Sequence, residues 1–265
     1  MYVKLVAANN LQFDNPQLYS AFIHDPGEFF LSFGTEADTA LIDEALTGLE
    51  ETLLKYPDNF FEGFKENDYK DGIIIYFNGT LEGISVGGIT EAGAFTTEQG
   101  DYLVMVFDIN DSLNLPVTIC HEMSHSIYNK LVHDEWDTEG ELFDEEYFAT
   151  LNPEGFTYLD MYSDDEGRQY YELTDYDNTG AKYYEDYILD NVYFEGIYSK
   201  TFLTEDLATI MEAAMNPDNA PDYMASPHIK AKLEYFSQVI RRDWDTADWP
   251  ETTSWEEFLD WQGYK

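Results

Sequence analysis

The chain has 265 residues, 44% apolar and 17% aromatic, and 13 Lys and Arg against 54 Asp and Glu give a formal charge of −41. This length and apolar content can bury a substantial core, as one large domain or two lobes, and argue against disorder. The charge argues against binding through nucleic-acid phosphates or to anionic membranes, and the lone Cys120 excludes an intrachain disulfide.

Met1 to Asn10 lack the basic start, long apolar stretch and small-residue cleavage site of a signal peptide. That is expected of an intracellular protein, or of a mature or truncated form whose export signal is missing. No stretch reaches the roughly 18 apolar residues of a membrane span. Residues 11–33 are mixed and aromatic-rich, broken by Pro16 and Pro26-Gly27. From Glu36 to Tyr56 the sequence carries a helical period, with Leu41, Ile42, Ala45, Leu49, Leu53 and Leu54 on one side, ended by Pro57-Asp58-Asn59. Gly72 to Phe77 reads as a buried strand closed by Asn78-Gly79. Ile84 to Thr97, with Gly87, Gly88 and Gly93, reads as an irregular or edge strand, and Tyr102 to Ile109 as the last strand before a turn at residues 110–114. Pro116 then suits the first position of a helix whose apolar body is Val117, Ile119, Cys120, Met123, Ile127 and Leu131.

That helix carries His121-Glu-Met-Ser-His125, an HExxH string. His121 and His125 lie one turn apart on one face, so both imidazoles can reach one ion. Glu122 lies about 100° round the helix, within reach of a water held there. Two neutral nitrogen ligands, an open position and an adjacent general base are what a zinc hydrolase needs. Cys120 beside them reads as a small buried side chain.

Between residues 133 and 190 there are 19 Asp and Glu against Arg168 and Lys182, which reads as a long, mostly irregular acidic insertion. Within it, Asp175-Tyr-Asp-Asn-Thr-Gly180 with Asp186 at the twelfth position offers a possible Ca2+ loop through Asp175 and Asp177. Thr179 at its fifth position and the lack of a preceding helical period favour an ordinary Asp-rich turn. Helices are expected over Glu205 to Met215, with Thr204 as cap, and over Pro227 to Arg242, with a short one around Trp255 to Trp261. The division falls near residue 133: residues 1–132 carry the sheet and HExxH helix, and 133–265 the insertion and a helical lobe.

Two histidines rarely hold zinc alone, so a third protein ligand is expected. His133 stands twelve residues after His121, whereas the metzincin spacing of ten falls on Leu131, so His133 reads as a surface residue. Glu145 and Glu146 lie about twenty residues after His125, a thermolysin-like separation. Glu205 opens a helix whose Ala208, one turn on, permits close approach to the metal helix. The residues alone leave these carboxylates open.

HExxH followed far downstream by Glu205-Asp-Leu-Ala208 resembles the gluzincin branch of zinc peptidases. The nearest similarity is to a group of bacterial zinc-binding metallopeptidases, often lipoproteins, whose further segments match Asn152-Pro-Glu-Gly-Phe156, Tyr198-Ser-Lys-Thr201 and Ile240-Arg241. This resemblance spans roughly residues 70 to 242, and it selects Glu205 as third ligand to one Zn2+ per chain. It implies an α+β, zincin-like fold: a small mixed sheet with an edge strand over the HExxH helix, then a mainly helical C-terminal lobe. It also implies an extracytoplasmic or cell-surface location. The site is similar, more distantly, to that of anthrax lethal factor and the Pro-Pro endopeptidases, where a tyrosine seven residues before the ligand Glu stabilises the transition state. Tyr198 occupies that position. Where relatives carry a carboxylate after the Ala, this chain has Thr209, so support for a ligand His must come from elsewhere.

The expected activity is therefore hydrolysis of a peptide or protein substrate, with Glu122 as base and Tyr198 as oxyanion donor. The alternative is a catalytically silent zinc-binding or cell-surface interaction module, against which the intact Glu122 speaks. The oligomeric state is not legible in the residues.

Overall fold

The structure is a computed structural model that describes residues 2–5, 20–23, 38–65, 72–79, 88–90, 95–97, 100–111, 114–135, 142–158, 162–163, 169–170 and 182–263. It is mixed, with one six-stranded sheet, a two-stranded antiparallel pair (Tyr162–Ser163 with Gln169–Tyr170) and several helices among the described residues. The strands are β1 (Tyr2–Leu5), β2 (Ser20–Ile23), β3 (Gly72–Asn78), β4 (Gly88–Thr90), β5 (Phe95–Thr97) and β6 (Gly100–Asp108). They run in the order β2-β1-β3-β6-β4, with β5 also on β6. The first four of that order are parallel, and β4 and β5 run antiparallel to β6.

β1 and β2 fall where the sequence reading assigned no element, in a stretch of weak alternation. Among the described residues the Ile84–Thr97 region holds the short strands β4 and β5, and β4 ends the strand order of the sheet, in line with the edge-strand reading. In the β3–β6 ladder Ile73, Ile75 and Phe77 stand opposite Leu103, Met105 and Phe107. This alternation puts all six side chains on one buried face.

That face is covered by α1 (Ile42–Leu53), the predicted amphipathic helix, and by α2 (Leu115–Glu135), which begins one residue before Pro116. On α2, Ile119, Cys120, Met123, Ile127 and Leu131 are fully buried, as their spacing foretells. A five-residue helix, α3 (Glu145–Ala149), interrupts the expected irregular insertion; the Asp144 carboxylate accepts from Tyr147 N–H to start it. Further on come α4 (Leu203–Met215) and α5 (Pro227–Asp243), and Glu256–Asp260 forms a 3-10 turn. α4 begins earlier than expected. Phe202 in extended conformation is its N-cap, with no side-chain capping hydrogen bond, and Thr204 lies inside the helix. The main hydrophobic core runs from Ile42 through the sheet face to Phe258 and includes residues from both sides of position 133. No described helix is long and apolar enough to cross a membrane.

Candidate metal centre

α2 presents His121 and His125 on one face, their ring centroids 4.9 Å apart and nearly perpendicular. The first turn of α4, packed against α2, brings in Glu205. Ala208, fully buried one turn on, leaves room for the two helices to meet. Glu205 Oε2 stands 3.1 Å from His121 Nε2 and 3.5 Å from His125 Nε2. Ligands about 2.0–2.1 Å from a tetrahedral ion lie about 3.3 Å from each other, so this spacing suits a common zinc ion. One donor atom from each residue lies within 4.8 Å of the others, and this is the single such group of three or more among the described residues.

The other ring nitrogen of His121 is also engaged: Nδ1 is 2.9 Å from Glu212 Oε2. A proton on Nδ1 donated to Glu212 leaves the Nε2 lone pair free to face an ion. Burial opposes a charge on His121, but the hydrogen bonds to Glu205 and Glu212 and the charges of Glu212 and Glu122 push it up to about 10. Burial likewise raises Glu205, but hydrogen bonds and charge from both histidines hold it at about 2. The pocket thus gathers donors that favour positive charge at its centre.

Glu122 is buried at 7% exposure on the side of α2 that meets the edge strand. A Cβ placed on Gly88 of β4 would lie 3.0 Å from Glu122 Cγ and 2.9 Å from Phe107 and Thr118 side-chain carbons. The backbone of β4 therefore passes close to the Glu122 side chain, at a place where any Cβ would force its neighbours to shift. Tyr198, on the 3-10 turn Tyr198–Lys200, lies against His121 with ring centroids 6.1 Å apart and planes 24° from parallel.

His121, Glu122, His125, Glu205 and Tyr198 are thus brought together. Glu145 is not: its carboxylate is hydrogen-bonded by the Tyr128 hydroxyl, and neither it nor Glu146 joins the cluster. Asp175 and Asp177 of the possible calcium loop, and the side chain of His133, lie outside what is described. Asp186 accepts instead from Ile188 N–H and Asn191 Nδ2.

Two nearby carboxylates escaped the sequence reading. Glu212 stands seven residues, two helical turns, after Glu205, and that spacing alone places both on one face. Glu195 belongs to an irregular acidic stretch and carries no periodic signal. Burial first, then the charges of Glu212 and Glu185, push its carboxyl up to about 7. It lines, with Val117, Glu212, Asn216 and Asn219, a small cavity of about 60 Å³ beside the histidine.

No family model, curated protein or solved structure matches the chain. What the site can do follows from its own chemistry.

Proposed function

We propose that the chain is a zinc-dependent metallopeptidase of gluzincin type, with a zincin-like arrangement of sheet, edge strand and ligand helices. One observation carries this reading. A single Glu205 oxygen faces both Nε2 atoms of an HExxH helix whose glutamate is buried next to an edge strand.

His121, His125 and Glu205 would hold the ion, which supplies Lewis acidity and lowers the pKa of a water towards about 7. Glu122 takes the proton of the attacking water and passes it to the leaving amine. The Tyr198 hydroxyl donates to the oxyanion that develops on the scissile carbonyl. Glu212 keeps the His121 proton on Nδ1. A peptide in extended form pairs with β4 and so carries its carbonyl past Glu122. The substrate is thereby read mainly through its backbone.

The test combines zinc analysis with cleavage of casein or a peptide library by the wild type and by Glu122→Ala. One zinc per chain in both proteins is expected, with cleavage falling about 10²-fold or more in the variant. A wild type that holds zinc but cleaves nothing would favour the silent binding module instead. A wild type that takes up no zinc would remove the basis of the reading.

A further inference from the structure

The first turn of α4 carries two adjacent carboxylates in opposite surroundings. Glu205 faces the imidazoles, whereas Asp206 points into the core and is fully buried. Its Oδ2 lies 2.6 Å from Nζ of Lys232 on α5, which is equally inaccessible. The same oxygen accepts a hydrogen bond from the Tyr158 hydroxyl at 2.6 Å. Lys232 also donates to the Tyr193 carbonyl at 2.8 Å and stands 4.0 Å over the Phe194 ring. Phe156 packs on Phe194 and on Tyr158, at centroid distances of 4.6 and 5.2 Å. The segment Asn152-Pro-Glu-Gly-Phe156, turned by Gly155 at φ +80°, thus roofs this ion pair. Nothing in the proposed chemistry uses that segment.

A buried charged pair is weak evidence of stabilisation. Replacing a buried ion pair by apolar side chains of similar volume is often neutral or stabilising, because both charges lose their hydration. Phe202 makes no side-chain cap hydrogen bond, and Asp206 gives this turn a buried polar contact to α5 and to Tyr158 beside its apolar packing on α2. A side chain at the outer surface of a helix lies about 5 Å from its axis, so a rotation of about 10° moves it by nearly 1 Å. Metal sites tolerate roughly half that displacement.

We propose that Lys232 and Tyr158 are positioning residues that act through Asp206 to fix the rotation of α4, and so the carboxylate of Glu205. This rests on reading His121, His125 and Glu205 as metal ligands. The clamp links a turn outside the site to the geometry of the ion.

The experiment titrates cobalt(II) into the metal-free full chain and follows its visible absorption, alongside the melting temperature without metal. The proteins are the wild type, Tyr158→Phe, and the triple variant Tyr158→Phe/Asp206→Leu/Lys232→Met. The triple variant is expected to melt within a few degrees of the wild type. Its cobalt dissociation constant should rise about 10- to 100-fold, with altered absorption bands. Tyr158→Phe alone should raise that constant several-fold with no change in melting. Wild-type affinity and spectrum in both variants would overturn the proposal and leave the clamp a purely structural device. If the triple variant does not fold, Tyr158→Phe decides by the same criterion. A wild type that binds no cobalt would overturn the metal site itself, a result distinct from failure of the clamp alone.

Discussion

His121 is gripped from both sides: Glu205 Oε2 stands 3.1 Å from its Nε2, and Glu212 Oε2 stands 2.9 Å from its Nδ1. Both carboxylates come from one helix, two turns apart, so in the proposed site a single element would supply a ligand and the group that orients a second one. Removing Glu212 should leave the ligand set intact while freeing the ring to tilt and change tautomer. Glu212→Ala is expected to weaken zinc binding about 10- to 100-fold. Glu212→Gln, which still accepts a hydrogen bond, should lose less. Competition with a chromophoric chelator gives the constants, and equal affinity in all three proteins would contradict the orienting role.

Gly88 tests the contact between edge strand and base. Its missing Cβ would lie 2.9 Å from Phe107 and Thr118 and 3.0 Å from Glu122, so close that these side chains must shift to admit it. Gly88→Ala is expected to cost about 1–3 kcal/mol through overpacking. Cleavage should fall further than that loss implies, because Glu122 is displaced, while zinc content stays at the wild-type level. Thermal melts and zinc analysis of the same samples separate the two effects.

The far end of α2 is held by another charge. Lys130 Nζ lies 2.5 Å from Asp243 Oδ2 and 4.3 Å from the centre of the Trp244 ring, with both charged side chains at 10% exposure or less. Lys130→Met would remove the ammonium that faces the buried Asp243 carboxylate and should destabilise the chain by about 3 kcal/mol. The double variant with Asp243→Asn should recover much of this. Urea unfolding measures both.

Acid should act through Glu256. Its carboxylate accepts from Arg241 Nε and Nη2, Ser237 Oγ and Thr253 N–H. Burial raises its pKa, but these bonds outweigh burial and hold it at about 2, below the ordinary 4.5. A carboxyl depressed in the folded state contributes stability that is present above about 4.5 and is lost as pH falls towards 2. Allowing for solvent screening, Glu256→Gln should cost on the order of 1 kcal/mol at pH 7. The gap between variant and wild type should close across that acid window in denaturant titrations.

The HExxH helix was legible because three signals coincide at one place: a strand-like run, Pro116 at a helix start, and histidines four residues apart within an apolar period. Glu205 was not legible from periodicity. Several carboxylates met that description, and only its motif singled it out. The interaction that retires Glu145, its bond with Tyr128, joins residues 17 apart on different helices and leaves no pattern in the chain. Glu212 was readable in principle, since a two-turn spacing from Glu205 is a helical regularity. The strands β1 and β2 were missed because short parallel strands need neither strict alternation nor a hairpin turn. The Thr204 cap failed because an extended Phe202 started the helix two residues sooner.

His121 and Glu205 are 84 residues apart along the chain. An ion bound by both acts as a removable cross-link between segments that the unfolded polypeptide holds far from each other. Folding free energy then depends on metal activity, rising by about 1.4 kcal/mol for each tenfold excess over the dissociation constant. Withdrawal of such an ion would then loosen the fold between those two segments.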